Sequence, residues 1–270
     1  ANPAEALGRR NLVLREMRDQ GYISSEEAAA ATAEPLGLKD TTAVVTSQFA
    51  PYFVEYVRRE LLHELGSERL YRGGLRIYTT LDPAAQRAAE AAAASVLPAA
   101  EDPEVALAAV RWSDGAVVAI VGGRDFATEQ FDLATQGRRQ TGSAFKPFVL
   151  AAALEQGYTL DSVWEATPFE TQVKDEIWHV ENYENSITGG TYTLDTATVW
   201  SINTVYARLI MAVGADKVVD VAHRMGITSE IDPDPAIALG GLSRGVSPLE
   251  MASAFGTIAN TGMAVAPSGV

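Results

Sequence analysis

The sequence predicts an α+β fold in which helices pack against a mainly antiparallel sheet, with a helical segment in front of it. Two observations lead to this prediction. Residues 105–121 contain two β-prone runs joined by the turn Ser113-Asp114-Gly115, which is typical of a β-hairpin. Most other apolar residues recur at helical spacing between capping residues and glycines. At 270 residues the chain is long enough to bury a substantial core.

Composition narrows the function. The chain is 47% hydrophobic and 21% charged, as folded soluble proteins are, and its net charge of −14 argues against nucleic-acid binding. It has no cysteine, which excludes disulfides, thiolate metal sites and cysteine nucleophiles. His63, His179 and His223 lack metal-ligand spacing, so we interpret them as structural or surface residues. No cofactor and no metal is expected.

The first 81 residues predict three helices and a strand. Two helices lie between Leu7 and Ala33, separated at Gly21, with Ser24 or Ser25 capping the second. A third helix covers residues 51–65 and ends at Gly66. The alternating, β-prone residues 75–81 predict a strand.

The rest of the chain alternates between helices and short β-prone runs. Asp82 and Pro83 begin a helix that extends to about residue 97 and precedes the hairpin. Residues 162–190 predict irregular structure, and residues 193–211 a helix that is interrupted at 200–203. The sequence further predicts a short helix at 216–225, a strand at 237–239, and a last helix from Ser247-Pro248 to about residue 259.

The candidate chemistry lies at the start of a central helix. Residues 148–154 are good helix formers that end at Gly157, and Pro147 requires the helix to begin just before it. Ser143 and Lys146 are three residues apart at that start, so the lysine amine can reach the serine hydroxyl. A serine becomes a strong nucleophile when a base takes its proton, and a buried lysine can be that base. On this pair alone, an N-capping serine beside a solvated lysine explains the pattern equally well.

Further runs of the sequence match those of a known protein family. One matching run contains the Ser-x-x-Lys pair, and others follow it in the order that the family has. They are Arg139-Gln140-Thr141-Gly142-Ser143-Ala144-Phe145-Lys146-Pro147, Asn182-Tyr183, Ser201-Ile202-Asn203, Ala238-Leu239-Gly240-Gly241-Leu242 and Pro248-Leu249-Glu250-Met251-Ala252. With them the sequence resembles the bifunctional, class A penicillin-binding proteins, which cross-link bacterial peptidoglycan. The resemblance implies a penicillin-binding transpeptidase fold, similar to that of the serine β-lactamases.

The resemblance assigns roles to four residues. It implies that Ser143 is the acylated nucleophile, that Lys146 accepts its proton, and that Ser201 relays a proton. Asn203 would bind the amide of the stem peptide. Stem peptides and β-lactam antibiotics are the implied ligands, and the cell-wall synthesis machinery is a possible partner.

The resemblance also implies a domain plan. Residues 1–45 are expected to be the tail of a glycosyltransferase domain, residues 46–74 a linker, and residues 75–270 the transpeptidase domain. The family's Lys-Thr-Gly motif does not occur in the sequence, so we expect an interior fragment that is poorly active by itself. No apolar run could span a membrane, and we expect the anchor of an extracytoplasmic protein to lie in a segment outside this chain.

Other functions remain open at this point. Residues 241–245 match the Gly-x-Ser-x-Gly nucleophile elbow of α/β-hydrolases, but that fold needs a histidine after the serine and none follows Ser243. A β-lactamase or D,D-carboxypeptidase on the same scaffold would pass the acyl group to water. A penicillin-recognising module without catalysis would never form an adduct at Ser143.

Overall fold

The computed structural model describes residues 3–37, 49–99, 101–183 and 187–270, and the chain forms two compact units, residues 1–46 and 47–270. The first unit contains two helices, α1 (Pro3–Asp19) and α2 (Ser25–Ala33). Ser24 and Glu27 form a capping box at the start of α2. The Arg10 guanidinium donates to the carbonyls of Thr32 and Glu34 and so fastens one helix to the end of the other. The two predicted helices are confirmed.

The second unit begins with α3 (Pro51–Arg72), which is broken at Gly66, where φ is +73°. Its aromatic face packs on a hairpin made of β1 (Leu107–Val110) and β2 (Val117–Val121). Tyr52 and Phe53 are buried there against Val117 and Ile120. Most of the expected linker, residues 46–74, is thus a helix that is part of the core of this unit.

The predicted strand at 75–81 is wrong. Helix α4 (Pro83–Val96) follows this segment and is capped by Asp82 as expected. At the outer edge of β2, the Asp82 N–H donates to the carbonyl of Val118 and the Thr80 hydroxyl donates to the carbonyl of Val117. The Thr80 N–H donates instead to Gly269, and the Val117 N–H donates to Ser268. The side chain of Gln86, which is 1% exposed, pairs with both backbone groups of Ile120 farther along the same edge. The outer edge of β2 therefore has no free run of backbone groups with which residues 75–81 could pair as a strand.

The central helix begins as predicted. A 3₁₀ turn, Gly142–Phe145, continues into α5 (Lys146–Glu155), and Pro147 lies in the first turn, where its missing N–H costs nothing. Gly157 follows the end of the helix with φ of +89°. Phe145, Phe148 and Val149 are fully buried. They belong to the largest apolar cluster of this unit, which also includes much of α7 (Asn203–Val213).

Residues 162–190, predicted to be irregular, contain short strands. These are β3 (Val163–Glu165), β4 (Phe169–Val173) and β5 (Glu176–Val180), and β3 pairs with β6 (Thr191–Thr193). The β4–β5 hairpin turns at Lys174, where φ is +55°. Both strands are short, and Val180 is the one buried residue in them, so they lack a strong apolar signal and the prediction missed them.

Helices complete the second unit. They are α6 (Leu194–Val199), α7, α8 (Ala215–Arg224) and α9 (Pro248–Ala259), and the predicted interruption at 200–203 separates α6 from α7. The predicted strand at 237–239 is wrong, because Pro235–Leu239 is a 3₁₀ helix capped by the Asp234 carboxylate. The α+β class is confirmed, although the strands of the described residues form three two-stranded antiparallel pieces. Among these residues no helix is long and apolar enough to cross a bilayer.

A buried carboxylate fixes the segment that precedes the central helix. Glu250, in the first turn of α9, accepts hydrogen bonds from Ser247, Thr228 and Ser229 and an ion pair from Arg138. Burial by itself would raise the pKa of Glu250, but the hydrogen bonds outweigh it and lower that pKa to about 2. The next residue, Arg139, exchanges both backbone hydrogen bonds with Val246. The chain therefore enters the Ser143 turn from a fixed position.

Candidate active site

The four residues predicted from the sequence meet at one amine. The Lys146 Nζ atom lies 3.1 Å from Ser143 Oγ, 2.9 Å from Ser201 Oγ and 2.7 Å from Asn203 Oδ1. It also lies 2.6 Å from the backbone carbonyl oxygen of Ser201. Lys146 is 3% exposed, whereas Ser143 is exposed to solvent. A buried amine thus touches a hydroxyl that a ligand can reach.

The four oxygens around the amine can be partly satisfied by either protonation state, but only one state can act as a base. An ammonium has three N–H donors and no acceptor, so it can bond three of the four oxygens but cannot accept a proton. A neutral amine has two N–H donors, which the carbonyl oxygens of Ser201 and Asn203 can accept. Its lone pair then accepts a hydrogen bond from a serine hydroxyl. The neutral amine therefore satisfies its two carbonyl neighbours and leaves its lone pair for a hydroxyl proton.

Burial favours the neutral state of the Lys146 amine. It lowers the pKa of the Lys146 amine to about 8, because the charged form loses solvation in the interior. In the part of the chain that the structure describes, no carboxylate forms an ion pair with this lysine. The ring of Tyr206 lies 5.5 Å from Nζ, and a ring face attracts the charged form weakly. The Tyr206 hydroxyl is held by Thr198 at 2.7 Å.

Ser201 and Asn203 reach the amine through an unusual backbone. Ser201 has φ of +53°, in the left-handed region that few residues other than glycine adopt. In this conformation both its carbonyl oxygen and its hydroxyl face Lys146. Helix α7 begins two residues later at Asn203, whose Nδ2 donates to the carbonyl of Glu181 at 3.2 Å. The left-handed residue is the interruption that the sequence predicted between the two helices.

Two close backbone contacts support the Ser143 turn. A Cβ on Gly240, where φ is +76°, would lie 2.2 Å from backbone atoms of Gly142. A Cβ on Gly245 would lie 2.6 Å from the backbone of Arg139. Both positions therefore require glycine, because a side chain would push the neighbouring segment away. Gly240 belongs to a run that matches the family and Gly245 to the alternative elbow, but the packing function of either glycine could not be predicted from the sequence.

The serine of the alternative elbow has a different environment. The Ser243 hydroxyl donates to Asp232, and neither His179 nor His223 contacts it. His179 pairs with Glu170 across the β4–β5 hairpin, and His223 contacts the carbonyl of Ile227. No histidine contacts Ser243 within the described residues. The surroundings of Ser243 therefore lack the histidine that the α/β-hydrolase elbow requires.

Sequence reasoning missed several residues that shape the site. Tyr206 and Thr198 lie beneath the lysine, and the Glu181 carbonyl orients the Asn203 amide. Asn182 lies in one of the runs that match the family, but the resemblance assigns it no function. Of these residues, Asn182 could have been singled out from the sequence, because it is a polar residue within a matching run in a stretch predicted to be irregular.

The comparisons with known proteins agree with the fold. Residues 105–270 match the family described as the penicillin-binding protein transpeptidase domain, and the chain belongs to that family. Relatives that match over nearly its whole length include penicillin-binding proteins 2D and 1B, which are class A penicillin-binding proteins.

Individual relatives show how far the similarity extends. The chain is 33% identical to penicillin-binding protein 2D of Bacillus subtilis, with 99% of the chain and 39% of the relative covered. It is 35% identical to penicillin-binding protein 1B of Escherichia coli, with 97% and 32% covered. PonA1 of Mycobacterium tuberculosis in complex with penicillin V superposes with a TM-score of 0.71 at 34% identity, with 82% of this chain and 61% of that chain covered. The chain thus spans about a third of the length of these curated relatives.

Proposed function

We propose that the chain contains the acylating site of a peptidoglycan D,D-transpeptidase, the enzyme that joins two stem peptides through an acyl-serine. The observation that carries this proposal is the buried Lys146 amine 3.1 Å from the exposed Ser143 hydroxyl. A neutral amine at that distance can take the hydroxyl proton directly. The family to which the chain belongs supports the same reaction.

In the acylation step, Lys146 takes the proton from Ser143 Oγ while Oγ bonds to the carbonyl carbon of the D-alanyl-D-alanine peptide bond. The amides at the start of the helix stabilise the negative charge that develops on the carbonyl oxygen. The carbon–nitrogen bond then breaks. Its nitrogen receives the proton from Lys146 through the Ser201 hydroxyl, which lies 2.9 Å from Nζ. Terminal D-alanine leaves and the rest of the peptide stays on Ser143.

In the second step, an amine of a neighbouring stem attacks the acyl-serine. Its proton passes back along Ser201 and Lys146, Oγ departs from the carbonyl carbon, and Ser143 recovers its hydrogen. Asn203 would bind the amide of the stem peptide. Its Nδ2 carries two N–H donors, and the Glu181 carbonyl at 3.2 Å takes one of them, so the second can donate to the stem peptide, whereas Oδ1 is held by Lys146 at 2.7 Å.

Acylation should accelerate as the pH rises through the pKa of Lys146. Burial lowers that pKa to about 8, so the reactive neutral amine is a minor species at pH 7 and dominates at pH 9. We expect the rate of penicillin acylation to rise about tenfold between these values and then to level off. Rates measured by quenched intact mass spectrometry across this range give the profile. A flat profile, or a midpoint near the ordinary lysine pKa, would contradict the proposed base.

The domain plan and the location belong to the same proposal. Residues 1–45 would end a glycosyltransferase domain, and the whole protein would act at the extracytoplasmic face of the bacterial membrane through an anchor in another segment. The division into units 1–46 and 47–270 and the length of the class A relatives support this plan. Stem peptides and β-lactams would be its ligands.

One experiment separates the possible reactions. The natural protein is incubated with a labelled penicillin, and intact mass followed by peptide mapping identifies the modified serine. It is then given a D-alanyl-D-alanine peptide with and without an amine acceptor. A transpeptidase forms the joined peptide, a carboxypeptidase transfers the acyl group only to water, and a β-lactamase hydrolyses the penicillin adduct rapidly and so loses the label. A protein that never becomes labelled is a non-catalytic module.

Residues 1–270 alone should react slowly. The sequence has no Lys-Thr-Gly, the motif whose strand the resemblance assigns to one wall of the cleft and to one oxyanion N–H. In the part of the chain that the structure describes, β1 is paired with β2 alone. We expect penicillin acylation about 100–1000-fold slower than in a longer version that includes such a strand. Equal rates in the two proteins, with both folded, would show that the strand is dispensable.

A further inference from the structure

Asn182 is a buried amide whose side chain is fully used. It directly follows the loop residue Glu181 at the end of β5 and is 4% exposed. Its Oδ1 accepts the backbone N–H of Thr204 at 3.1 Å. Its Nδ2 donates to the carbonyls of Ala166, at 3.1 Å, and Ile187, at 2.8 Å. One side chain therefore joins three separate segments to the start of α7.

Helix α7 needs such a partner at its start. The first amides of a helix have no acceptor within the helix, and a Ser, Thr, Asp or Asn at the N-cap usually supplies one. The N-cap of α7 is Ile202, which has no polar side chain and makes no side-chain cap bond. Asn182 supplies the missing acceptor from 22 residues earlier in the chain. The position of the first turn of α7 is thus set by another segment.

A second bond from the same segment fixes the neighbouring residue. The Glu181 carbonyl accepts Asn203 Nδ2 at 3.2 Å, while Asn182 Oδ1 accepts Thr204 N–H. Consecutive residues on one segment thus hold consecutive residues on the other. Because the nitrogen end of the Asn203 amide is engaged, its oxygen end is the one that faces Lys146, at 2.7 Å.

We propose that Asn182 is a positioning residue for acylation, which caps α7 so that Asn203 and Ser201 present their carbonyl oxygens to the Lys146 amine. The inference rests on the proposed function. Asn182 touches none of the reacting atoms and acts through Asn203. Without its cap, the first turn of α7 loosens, water reaches the amine, and the neutral form of Lys146 becomes rarer at pH 7.

The surroundings of the amine contain few other groups that could produce the same change. Tyr206, on α7, has its ring 5.5 Å from Nζ and its hydroxyl on Thr198. Glu181 is exposed, and it forms no ion pair with Lys146 within the described residues. Arg208, also on α7, stacks on Phe169 and bonds to carbonyls of the β3–β4 region. A change in the pH profile of acylation in an Asn182 variant would therefore indicate loss of the Asn182 cap on α7.

The experiment measures penicillin acylation of Ser143 against pH in the natural protein and in three variants, with melting temperatures alongside. Asn182→Ala removes the cap, and Asn182→Asp keeps an acceptor for Thr204 while losing the donors to Ala166 and Ile187. Gln86→Ala is the matched control, since Gln86 is an equally buried amide that pairs with backbone groups in the β1–β2 hairpin. Asn182→Ser, whose side chain is too short for the Thr204 bond, replaces the alanine variant if that does not fold.

We expect Asn182→Ala to slow acylation at pH 7 about tenfold to a hundredfold and to shift the midpoint of its pH profile upward. Asn182→Asp should melt earlier but react close to the parent rate, and Gln86→Ala should melt earlier with the parent profile. Parent rate and profile in Asn182→Ala, or equal slowing in Gln86→Ala, would overturn the inference. A parent protein that penicillin does not label would instead overturn the proposed function.

A double-mutant cycle tests whether Asn182 acts through Asn203. In an Asn203→Ala background, the further change Asn182→Ala should slow acylation by less than threefold, because the residue that it positions is already gone. If the rate reductions caused by the two substitutions multiply in full, Asn182 acts independently of Asn203 and the inference fails.

Discussion

Ser143→Ala should abolish covalent labelling of the protein by penicillin. The change removes one oxygen atom from an exposed side chain at the start of the central helix, so the fold should be unaffected. Without that oxygen no acyl-enzyme can form, whatever the state of the Lys146 amine 3.1 Å away. The measurement is intact mass after incubation with a labelled penicillin, with a thermal melt to show that the variant is folded.

Two serines serve as controls for this result. Ser243 belongs to the alternative elbow and donates its hydroxyl to Asp232, so Ser243→Ala should be labelled as the parent is. Ser201→Ala should be labelled more slowly but still at Ser143, because Ser201 only relays the proton in the proposed mechanism. Labelling that persists in Ser143→Ala, or that maps to Ser201 or Ser243, would refute the assignment of the nucleophile.

Lys146→Arg should slow acylation by about two to four orders of magnitude, which is the usual contribution of a general base. The guanidinium keeps a positive charge but does not release its proton near neutral pH. The lone pair that accepts the Ser143 proton is therefore lost, although hydrogen-bond donors remain beside Ser201 and Asn203. Second-order rates of penicillin acylation at pH 8 give the size of the effect.

The larger guanidinium has to fit a site where Lys146 is 3% exposed, so folding needs its own control. Lys146→Met has nearly the original length and carries no charge, and it should be as slow as the arginine variant. Lys174→Arg alters an exposed lysine paired with Asp234 and should react at the parent rate. A loss of less than tenfold in folded Lys146→Arg would mean that another group takes the proton.

The elements with strong local signals were predicted from the sequence. Pro147 and Gly157 define the central helix, the turn Ser113-Asp114-Gly115 defines the hairpin, and Ser247 with Glu250 begins α9. In each case the decisive interaction lies within a few residues, such as a cap bond or a preset φ. Such signals do not depend on the rest of the fold.

The incorrect predictions share a physical cause. Residues 75–81 have the composition of a strand, but a strand requires a free edge, and Gln86 and Ser268 occupy the edge of β2. Residues 237–239 are a short apolar run, which fits a buried strand and a buried helical turn equally well. The Asp234 cap and Pro235 favour the turn. In both cases groups outside the run decided its structure: Gln86 and Ser268 for the first run, and the nearby Asp234 and Pro235 for the second.

The sequence by itself determined the Ser143–Lys146 pair, because three residues of helix bring the two side chains to one face. It also indicated a break at 200–203, and the resemblance supplied Ser201 and Asn203. Only the tertiary structure brought those residues to the lysine, 55 and 57 positions away, and buried the amine so that its pKa falls to about 8. Burial and long-range hydrogen bonds depend on how segments pack, and no local pattern encodes that packing. The Asn182 cap and the Gly240–Gly142 contact are of the same kind.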